Sequence, residues 1–157
     1  MLKIRKFQKG DELALREIFF HTIRNVNIKD YSEVQVKAWA PDNYEQCEWD
    51  KRISTINPFV AILDSNIVGY ADIQDDGYID HFFCHWNHQG KGIGSALMQK
   101  LVTDGQSKSI NRLYSHASIT AKPFFEHFGF KEVKKQEVEI RGQVLTNYVM
   151  EKFMLIG

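Results

Sequence analysis

The stretch Gln89-Gly90-Lys91-Gly92-Ile93-Gly94-Ser95 determines how we expect this chain to fold. It separates an aromatic-rich run, 78–84, from a run with apolar residues at helical spacing, 95–107. Three alternating glycines allow positive φ angles and can turn several backbone N–H groups in one direction. The positive end of the following helix adds to them, so the stretch predicts a strand-to-helix turn that binds an anion such as a pyrophosphate.

The glycine spacing of this turn is G-x-G-x-G. It matches neither the Walker loop, GxxxxGK[ST], nor the dinucleotide-binding spacing G-x-G-x-x-G. A turn that serves only the strand-to-helix geometry is the alternative interpretation of the same residues.

Hydrophobic patterning around the turn predicts the element order β-α-α-β-β-β-α-β-α-β-β and therefore a mixed α/β (α+β) domain with a central sheet. Residues 29–43 have a mixed pattern with no assigned element, and Arg141-Gly142-Gln143 predicts a hairpin turn. The strands are expected at 2–7, 59–63, 67–73, 78–84, 113–117, 132–140 and 144–152, and the helices at 11–28, 44–54, 95–107 and 121–128.

Composition narrows the functional classes. The 157 residues include 20 basic and 20 acidic side chains, and this zero net charge argues against a general nucleic-acid binder. Two cysteines, Cys47 and Cys84, are too few for a disulfide framework and favour a reducing compartment. With no apolar run of transmembrane length and no signal-peptide pattern, we expect a single cytoplasmic domain, 1–157, with no membrane partner.

Two signatures resemble those of the GNAT superfamily, the acetyl-CoA-dependent N-acetyltransferases. Gln89-x-x-Gly92-x-Gly94 is similar to the family motif Q/R-x-x-G-x-G/A. Downstream, the run 118–130, Ser-Ile-Thr-Ala-Lys-Pro-Phe-Phe-Glu-His-Phe-Gly-Phe, looks like the family helix A-x-x-F-Y-x-x-x-G-F. The two signatures occur in the family's order and at about its separation.

The resemblance implies a central, twisted, mostly antiparallel sheet of about seven strands, splayed between strands four and five and flanked by about four helices. It implies acetyl-CoA as co-substrate, with the pyrophosphate on the backbone of 89–95 and the pantetheine on the main chain of Phe82 and Cys84. A backbone N–H near Cys84 would polarise the acetyl carbonyl. The implied cofactor-binding residues are Phe82, Phe83, Cys84, Gln89, Gly90, Lys91, Gly92, Ile93, Gly94, Ser95, Ser118 and Phe125.

The implied reaction is direct attack of a primary amine on acetyl-CoA within a ternary complex, which requires a proton acceptor for the ammonium. Asp80, His81 and His116 are the candidates for this base. The family's tyrosine general acid is replaced by Phe125, so Tyr148, Tyr114 or a water is left as a candidate proton donor.

Other interpretations stay open. Phe125 favours a non-catalytic acyl-CoA-binding or regulatory module with the same fold. The run 81–88 contains His81, Cys84, His85 and His88, but the spacing does not match zinc sites, so we expect no metal. Cys84 is also a candidate nucleophile, with His85 or His116 as its base.

The acceptor is a small-molecule or peptide amine on this interpretation. Its pocket would be lined by aromatic residues of the first third of the chain, or these residues would serve as core: Tyr31, Trp39, Tyr44 and Trp49. Exposed edges of the late hairpin are a candidate surface for a homodimer.

Overall fold

The computed structural model describes residues 1–154. Eight strands are present: β1 Leu2–Lys6, β2 Phe59–Leu63, β3 Asn66–Ala71, β4 Tyr78–Ile79, β5 Phe82–Cys84, β6 Arg112–Ser118, β7 Lys131–Ile140 and β8 Gln143–Phe153. The α-helices are α1 Glu12–Asn25, α2 Glu33–Trp39, α3 Gln46–Ile56, α4 Ile93–Ser107 and α5 Lys122–His127, and a 3₁₀ turn covers Asn27–Lys29. None of the helices within residues 1–154 combines the length and apolar composition that crossing a bilayer requires.

The strands form two four-stranded sheets, in the orders β1-β2-β3-β5 and β4-β6-β8-β7. All pairings are antiparallel except that of β4 with β6, which is parallel. The mostly antiparallel mixed α/β fold is therefore confirmed. The hairpin turn is also present, with Arg141 and Gly142 both at positive φ.

The strand predicted over 78–84 divides into β4 and β5, which raises the strand count from about seven to eight. Its first part pairs with β6 and its second part pairs with β3, so the two sheets separate at this point. The splay predicted between the strand at 78–84 and the strand at 113–117 is thus confirmed, because β5 does not pair with β6.

A buried carboxylate holds the chain at the division. Asp72 has no exposed surface, and its Oδ1 accepts hydrogen bonds from the backbone N–H groups of Asp80 at 3.0 Å and His81 at 2.6 Å. Its Oδ2 accepts from Gln74 Nε2 at 2.6 Å. A strand that changes sheets leaves backbone donors without a ladder partner, and Asp72 satisfies two of them.

Helix α2 was not predicted, and it raises the helix count from about four to five. Its start carries a capping box, in which Ser32 Oγ accepts from Gln35 N and Gln35 Oε1 accepts from Ser32 N. Ser-x-x-Gln is a sequence signature of a helix start, so this helix was detectable within the mixed segment.

The core has three parts, which fill both faces of the first sheet and the inner face of the second. Helices α4 and α5 pack on one side, with Leu97, Leu101 and Phe125 among the buried residues. Helices α1 and α3 cover the opposite face of β2 and β3. A third cluster joins α1 and α2 to β8 through residues that include Tyr31 and Leu145. Helix α1 therefore spans the separation between the sheets.

The titration of Asp72 gives a pH prediction. Burial raises the pKa of Asp72 to about 6, so the folded protein keeps a proton that the unfolded chain releases near its ordinary value of 3.8. This proton stabilises the folded state at acid pH, and the stabilisation is lost as the pH rises through about 6. Asp72→Asn removes the titration and keeps an oxygen acceptor. From pH 4 to pH 6.5 its free energy of unfolding should therefore rise by up to about 3 kcal/mol relative to wild type.

Urea unfolding at a series of pH values measures this difference. Asp75→Asn is the matched control, because Asp75 is exposed in the same loop. A constant difference between Asp72→Asn and wild type across this pH range would contradict the prediction.

Candidate active site

The glycine-rich turn forms an uncapped helix start. Gly90 and Gly92 have φ angles of 75° and 78°, and helix α4 follows directly. Its first intrahelical bond joins Ala96 N to Gly92 O at 3.1 Å, so the N–H groups of residues 93–95 precede the helical ladder. No side chain caps this end, and no acidic residue lies in the first turn. These N–H groups are therefore available to an anion.

Side chains attach the turn to strand β5. Gln89 Nε2 donates to the carbonyl oxygens of Cys84 at 2.9 Å and His85 at 3.2 Å. Thr22 Oγ1, on helix α1, donates to the same Cys84 carbonyl at 3.0 Å. The glutamine of the motif thus fixes the turn relative to the strand that it follows.

The inner edge of β5 has free main-chain groups. His85 N donates to Val68 O, and Asp72 N donates to His81 O, so the odd-numbered residues of this segment bond to the β3 side. In an antiparallel ladder the intervening residues direct their N–H and C=O groups the other way. The N–H groups of Phe82 and Cys84 therefore face the separation between the sheets.

A cavity of about 330 Å³ occupies this separation. Of the implied cofactor-binding residues, Lys91 alone is not in its lining, and it is exposed beside the turn. The cavity is lined by Phe82, Phe83, Cys84, Gln89, Gly90, Gly92, Ile93, Gly94, Ser95, Ser118 and Phe125, together with residues of α1, β6 and α5.

The turn leaves space for a ligand. A Cβ atom added at Gly90 or Gly92 would meet no other atom within 4 Å. At Gly94 the added Cβ would lie 2.8 Å from Phe124 Cε1, so this glycine is needed for helix packing. Free N–H groups, open space and an uncapped helix start together fit a phosphate-bearing ligand.

A second cavity, of about 590 Å³, lies on the other side of the sheet separation. The four aromatic residues predicted for the acceptor pocket or the core, Tyr31, Trp39, Tyr44 and Trp49, all line it. Phe19, Tyr78 and Phe83 add three further aromatic rings to its wall. The two cavities share the lining residues Trp39, Asp80, Phe83, His116 and Ser118. A ligand in each cavity would therefore meet the other at these residues.

Two titratable side chains lie at the junction. Asp80 is half-buried, and its Oδ2 accepts a hydrogen bond from Arg52 Nη2. His116 projects from β6 with its ring 5.3 Å from that of Tyr78. Partial burial lowers the pKa of His116 below its usual value of 6.5, although Asp80 nearby acts in the opposite direction. His116 is therefore a neutral imidazole at pH 7.

His81 lines the second cavity but not the first, and its ring packs against those of Phe19 and Trp49. Burial lowers its pKa to about 4. Its Nδ1 lies 2.9 Å from the hydroxyl of Tyr70, which is fully buried. That hydroxyl has no other partner among residues 1–154, so we assign it as the donor to Nδ1. Nε2 then carries the ring proton and is itself a donor.

Tyr148 lies away from this junction. It is paired with Ala117 across β6 and β8, the ammonium of Lys122 lies 4.5 Å from its ring, and it lines neither cavity. Phe125 does line the first cavity, where it is 2% exposed and packs edge-on against Phe82. Of the four candidate catalytic residues, the structure thus brings Asp80 and His116 together, with His81 adjacent.

The cysteine and histidine run has other roles. Burial raises the pKa of the Cys84 thiol to about 12, so the thiolate that a nucleophile requires is suppressed. His85 stacks on Trp86 with ring centroids 3.7 Å apart. Within residues 1–154, no group of three or more His, Cys, Asp or Glu side chains is placed to hold a metal ion.

The sequence reasoning missed several residues at the site, among them Thr22, Asn27 and Arg52. Thr22 and Asn27 line the first cavity, and Asn27 Nδ2 lies 3.4 Å from Ser118 Oγ. Arg52 pairs with Asp80 across 28 positions of the chain. Each acts through a partner distant in sequence, so no local pattern marks it.

Comparisons with known proteins agree with this geometry. A family model described as an acetyltransferase (GNAT) domain matches residues 27–152. The uncharacterized N-acetyltransferase YafP of Escherichia coli K12 is 36% identical over 149 residues, covering 95% of this chain and 94% of that protein. A crystal structure from Rhodopseudomonas palustris, described as a GCN5-related N-acetyltransferase and "Aminotransferase, Class-II", superposes with a TM-score of 0.93 at 27% identity, covering 97% and 95% of the two chains.

Structures with bound ligands share the fold at lower identity. YncA from Salmonella typhimurium, solved with its cofactor acetyl-CoA, has a TM-score of 0.72 at 17% identity, covering 98% of this chain and 94% of that one. The fold and site define an acyltransferase. The chain belongs to the GNAT acetyltransferase family.

The close packing at Gly94 gives a stability prediction. The family motif accepts glycine or alanine here, but Gly94→Ala in this chain would bring Cβ against the Phe124 ring. We expect the free energy of unfolding to fall by about 1–3 kcal/mol, despite the better helix propensity of alanine. Chemical denaturation of Gly94→Ala, Phe124→Leu and the double variant measures the coupling. The double variant should be more stable than the sum of the single losses predicts, and simple additivity would contradict the clash.

Proposed function

We propose that this protein transfers the acetyl group of acetyl-CoA to a primary amine by direct attack in a ternary complex. The observation that carries the proposal is the meeting of two cavities at Asp80 and His116. One cavity leads to an anion-binding helix start and the other has an aromatic wall. Each substrate would thus have its own cavity, and the acetyl group and the amine would meet at the junction beside Asp80 and His116.

Acetyl-CoA fits the first cavity by its chemistry. The backbone N–H groups of residues 93–95 would hold the pyrophosphate, and the free main-chain groups of Phe82 would bond the pantetheine amides. Bound there, acetyl-CoA supplies a thioester that is activated toward amines. The Cys84 N–H would donate to the carbonyl oxygen on which negative charge develops. The acetyl-CoA-bound YncA and a coenzyme A-bound PaiA of Thermoplasma acidophilum share this fold and support the assignment.

In the second cavity, Asp80 would attract the ammonium form of the acceptor, and His116 would accept its proton. A neutral imidazole is the better base near pH 7, because its pKa is closer to the working pH than that of an ordinary carboxylate. His81 is the weaker candidate, since its acceptor nitrogen is already occupied by Tyr70.

Phe125 occupies the position of the family's general acid and has no hydroxyl, and the candidate donors Tyr148 and Tyr114 line neither cavity. A thiol has a pKa of about 8.5, so the CoA sulfur can leave as the thiolate without full protonation. The same replacement favours a second candidate function, a non-catalytic acyl-CoA-binding module. Binding without turnover on any amine would support the module.

Calorimetric titration with acetyl-CoA tests the cofactor site. Gly92→Val places a side chain in the open space of the turn and forces a β-branched residue to a φ near 78°. We expect saturable binding by wild type and at least about a hundredfold loss in the variant, since both the shape and the free N–H groups change.

Gly142→Val is the matched control. Gly142 also has a positive φ, 83°, and open space around its Cβ position, but it lies in the β7–β8 hairpin. It should therefore lose stability to a similar extent and keep its affinity. If wild type does not bind acetyl-CoA at millimolar concentration, the proposed function is wrong.

Kinetics with an acceptor found in a panel of primary amines separate the two junction residues. His116→Gln should lower kcat by about 10²–10⁴, because the proton acceptor is lost. It should also abolish the fall of kcat/KM that protonation of His116 causes as the pH drops below its pKa. Asp80→Asn should act mainly on KM, because the attraction for the ammonium is lost.

His127→Gln and Asp75→Asn are the corresponding controls, because both residues are exposed and line neither cavity. If kcat/KM of His116→Gln still falls at low pH as it does in wild type, the base is another group.

A further inference from the structure

Arg16 is a buried cation without a counter-ion. It projects from helix α1, is 4% exposed and lines the second cavity. Within residues 1–154, no carboxylate forms an ion pair with it. A guanidinium stays protonated at physiological pH, and burial without an anion is costly. Burial accordingly lowers the pKa of Arg16.

The protein uses only part of the hydrogen-bonding capacity of Arg16, although Tyr44 interacts with the guanidinium. Nη2 donates to Pro41 O at 2.8 Å, and the buried Nε has no partner in the described part of the chain. A guanidinium has five N–H donors, and buried donors are normally satisfied. The guanidinium therefore has donors left for an anion that enters the second cavity.

Arg24 shows the contrasting arrangement on the same helix. It donates through Nε and Nη2 to Ala40 O, much as Arg16 donates to Pro41 O. Unlike Arg16, it forms an ion pair with Asp42 at 3.1 Å, and it does not line the second cavity. The helix therefore has one arginine compensated by the protein and one that faces the cavity uncompensated.

Aromatic rings surround Arg16 and continue toward the junction. Its Cζ lies 4.0 Å from the ring centroid of Tyr44, 5.4 Å from that of Phe19 and 5.6 Å from that of Trp49. The rings of Phe19 and Trp49 also contact His81. The Nε2–H group of His81 is a second hydrogen-bond donor in the same wall and, unlike Arg16, it is uncharged. An apolar or aromatic ligand body in the cavity would pack against these rings.

We propose that the acceptor of this enzyme is an amine with an apolar or aromatic body and a carboxylate, and that Arg16 binds the carboxylate. The identity of the amine as the acetylated group rests on the proposed function, but the anion site does not. An ion pair that forms only with substrate gives specificity, because it removes the cost of the uncompensated guanidinium only when that substrate binds. A neutral amine of the same shape leaves Arg16 unpaired.

A binding experiment without turnover tests the anion site. Phenylacetate and its neutral isostere phenylacetamide are titrated against the whole protein, with tryptophan fluorescence as the readout, because Trp39 and Trp49 line the cavity. We expect phenylacetate to bind at least about tenfold more tightly, the discrimination typical of one charge-assisted hydrogen bond. Arg16→Gln should remove the difference, whereas Arg24→Gln should keep it.

Two further measurements make the result independent of folding defects. Arg16→Lys keeps the charge and should keep part of the preference, and melting temperatures report whether each variant folds. If Arg16→Gln does not fold, the wild-type comparison is decisive, since equal affinities for the two probes overturn the proposal. Loss of the preference in Arg24→Gln as well would also overturn it, because the effect would then not belong to Arg16.

Turnover separates this proposal from the proposed function. The ratio of kcat/KM for phenylalanine to that for phenethylamine should exceed about ten in wild type and approach one in Arg16→Gln. If phenylacetate binds through Arg16 and no amine is acetylated, the proposed function fails and the anion site stands. If amines are acetylated with no preference for the carboxylated member, the anion site fails and the proposed function stands.

Discussion

The carboxylate of Asp72 holds the point at which the two sheets separate, and both cavities depend on that separation. Because the chain between β4 and β5 changes partners, the N–H groups of Asp80 and His81 leave the ladder and bond to Asp72 instead. The same change leaves the inner edge of β5 unpaired and directs Asp80 into the gap. One buried charge, unfavourable by itself, thus supports a gap that a continuous sheet would close.

Two polar side chains in the wall of the second cavity, Arg16 and His81, are buried with incomplete partners among the described residues. The core under α4 and α5 is apolar and closely packed. The second cavity instead has Arg16 without a counter-ion and His81 with one ring nitrogen free of protein partners among the described residues. Folding alone gains nothing from such groups. The proposed acceptor would pair with them, which would connect the energetics of the fold to the selectivity of the site.

The site also joins elements that are remote in the chain. The strand edge, the turn and the helix start of the first cavity lie in one local segment, 82–95, and residues of α1, β6 and α5 complete its wall. The second cavity is lined by residues of α1, α2, α3, β6 and β8, among other elements. The main features of the first cavity can therefore be predicted from a short motif, whereas the lining of the second cavity is seen only in the packed structure. This division matches a family with a common acetyl donor and varied acceptors.

The sequence by itself determined the mixed α/β class, the glycine-rich turn and the strand and helix that it joins, because glycine spacing and hydrophobic periodicity are local properties. It also contained the Ser32–Gln35 capping box, which predicts α2 and was not used. Only the tertiary structure decided that 78–84 divides between two sheets and that Tyr70 occupies the acceptor nitrogen of His81. It also decided that Arg16 lines a cavity with no carboxylate paired to it among the described residues. These features depend on contacts between residues far apart in the chain, and no local pattern encodes which distant group will satisfy a buried charge.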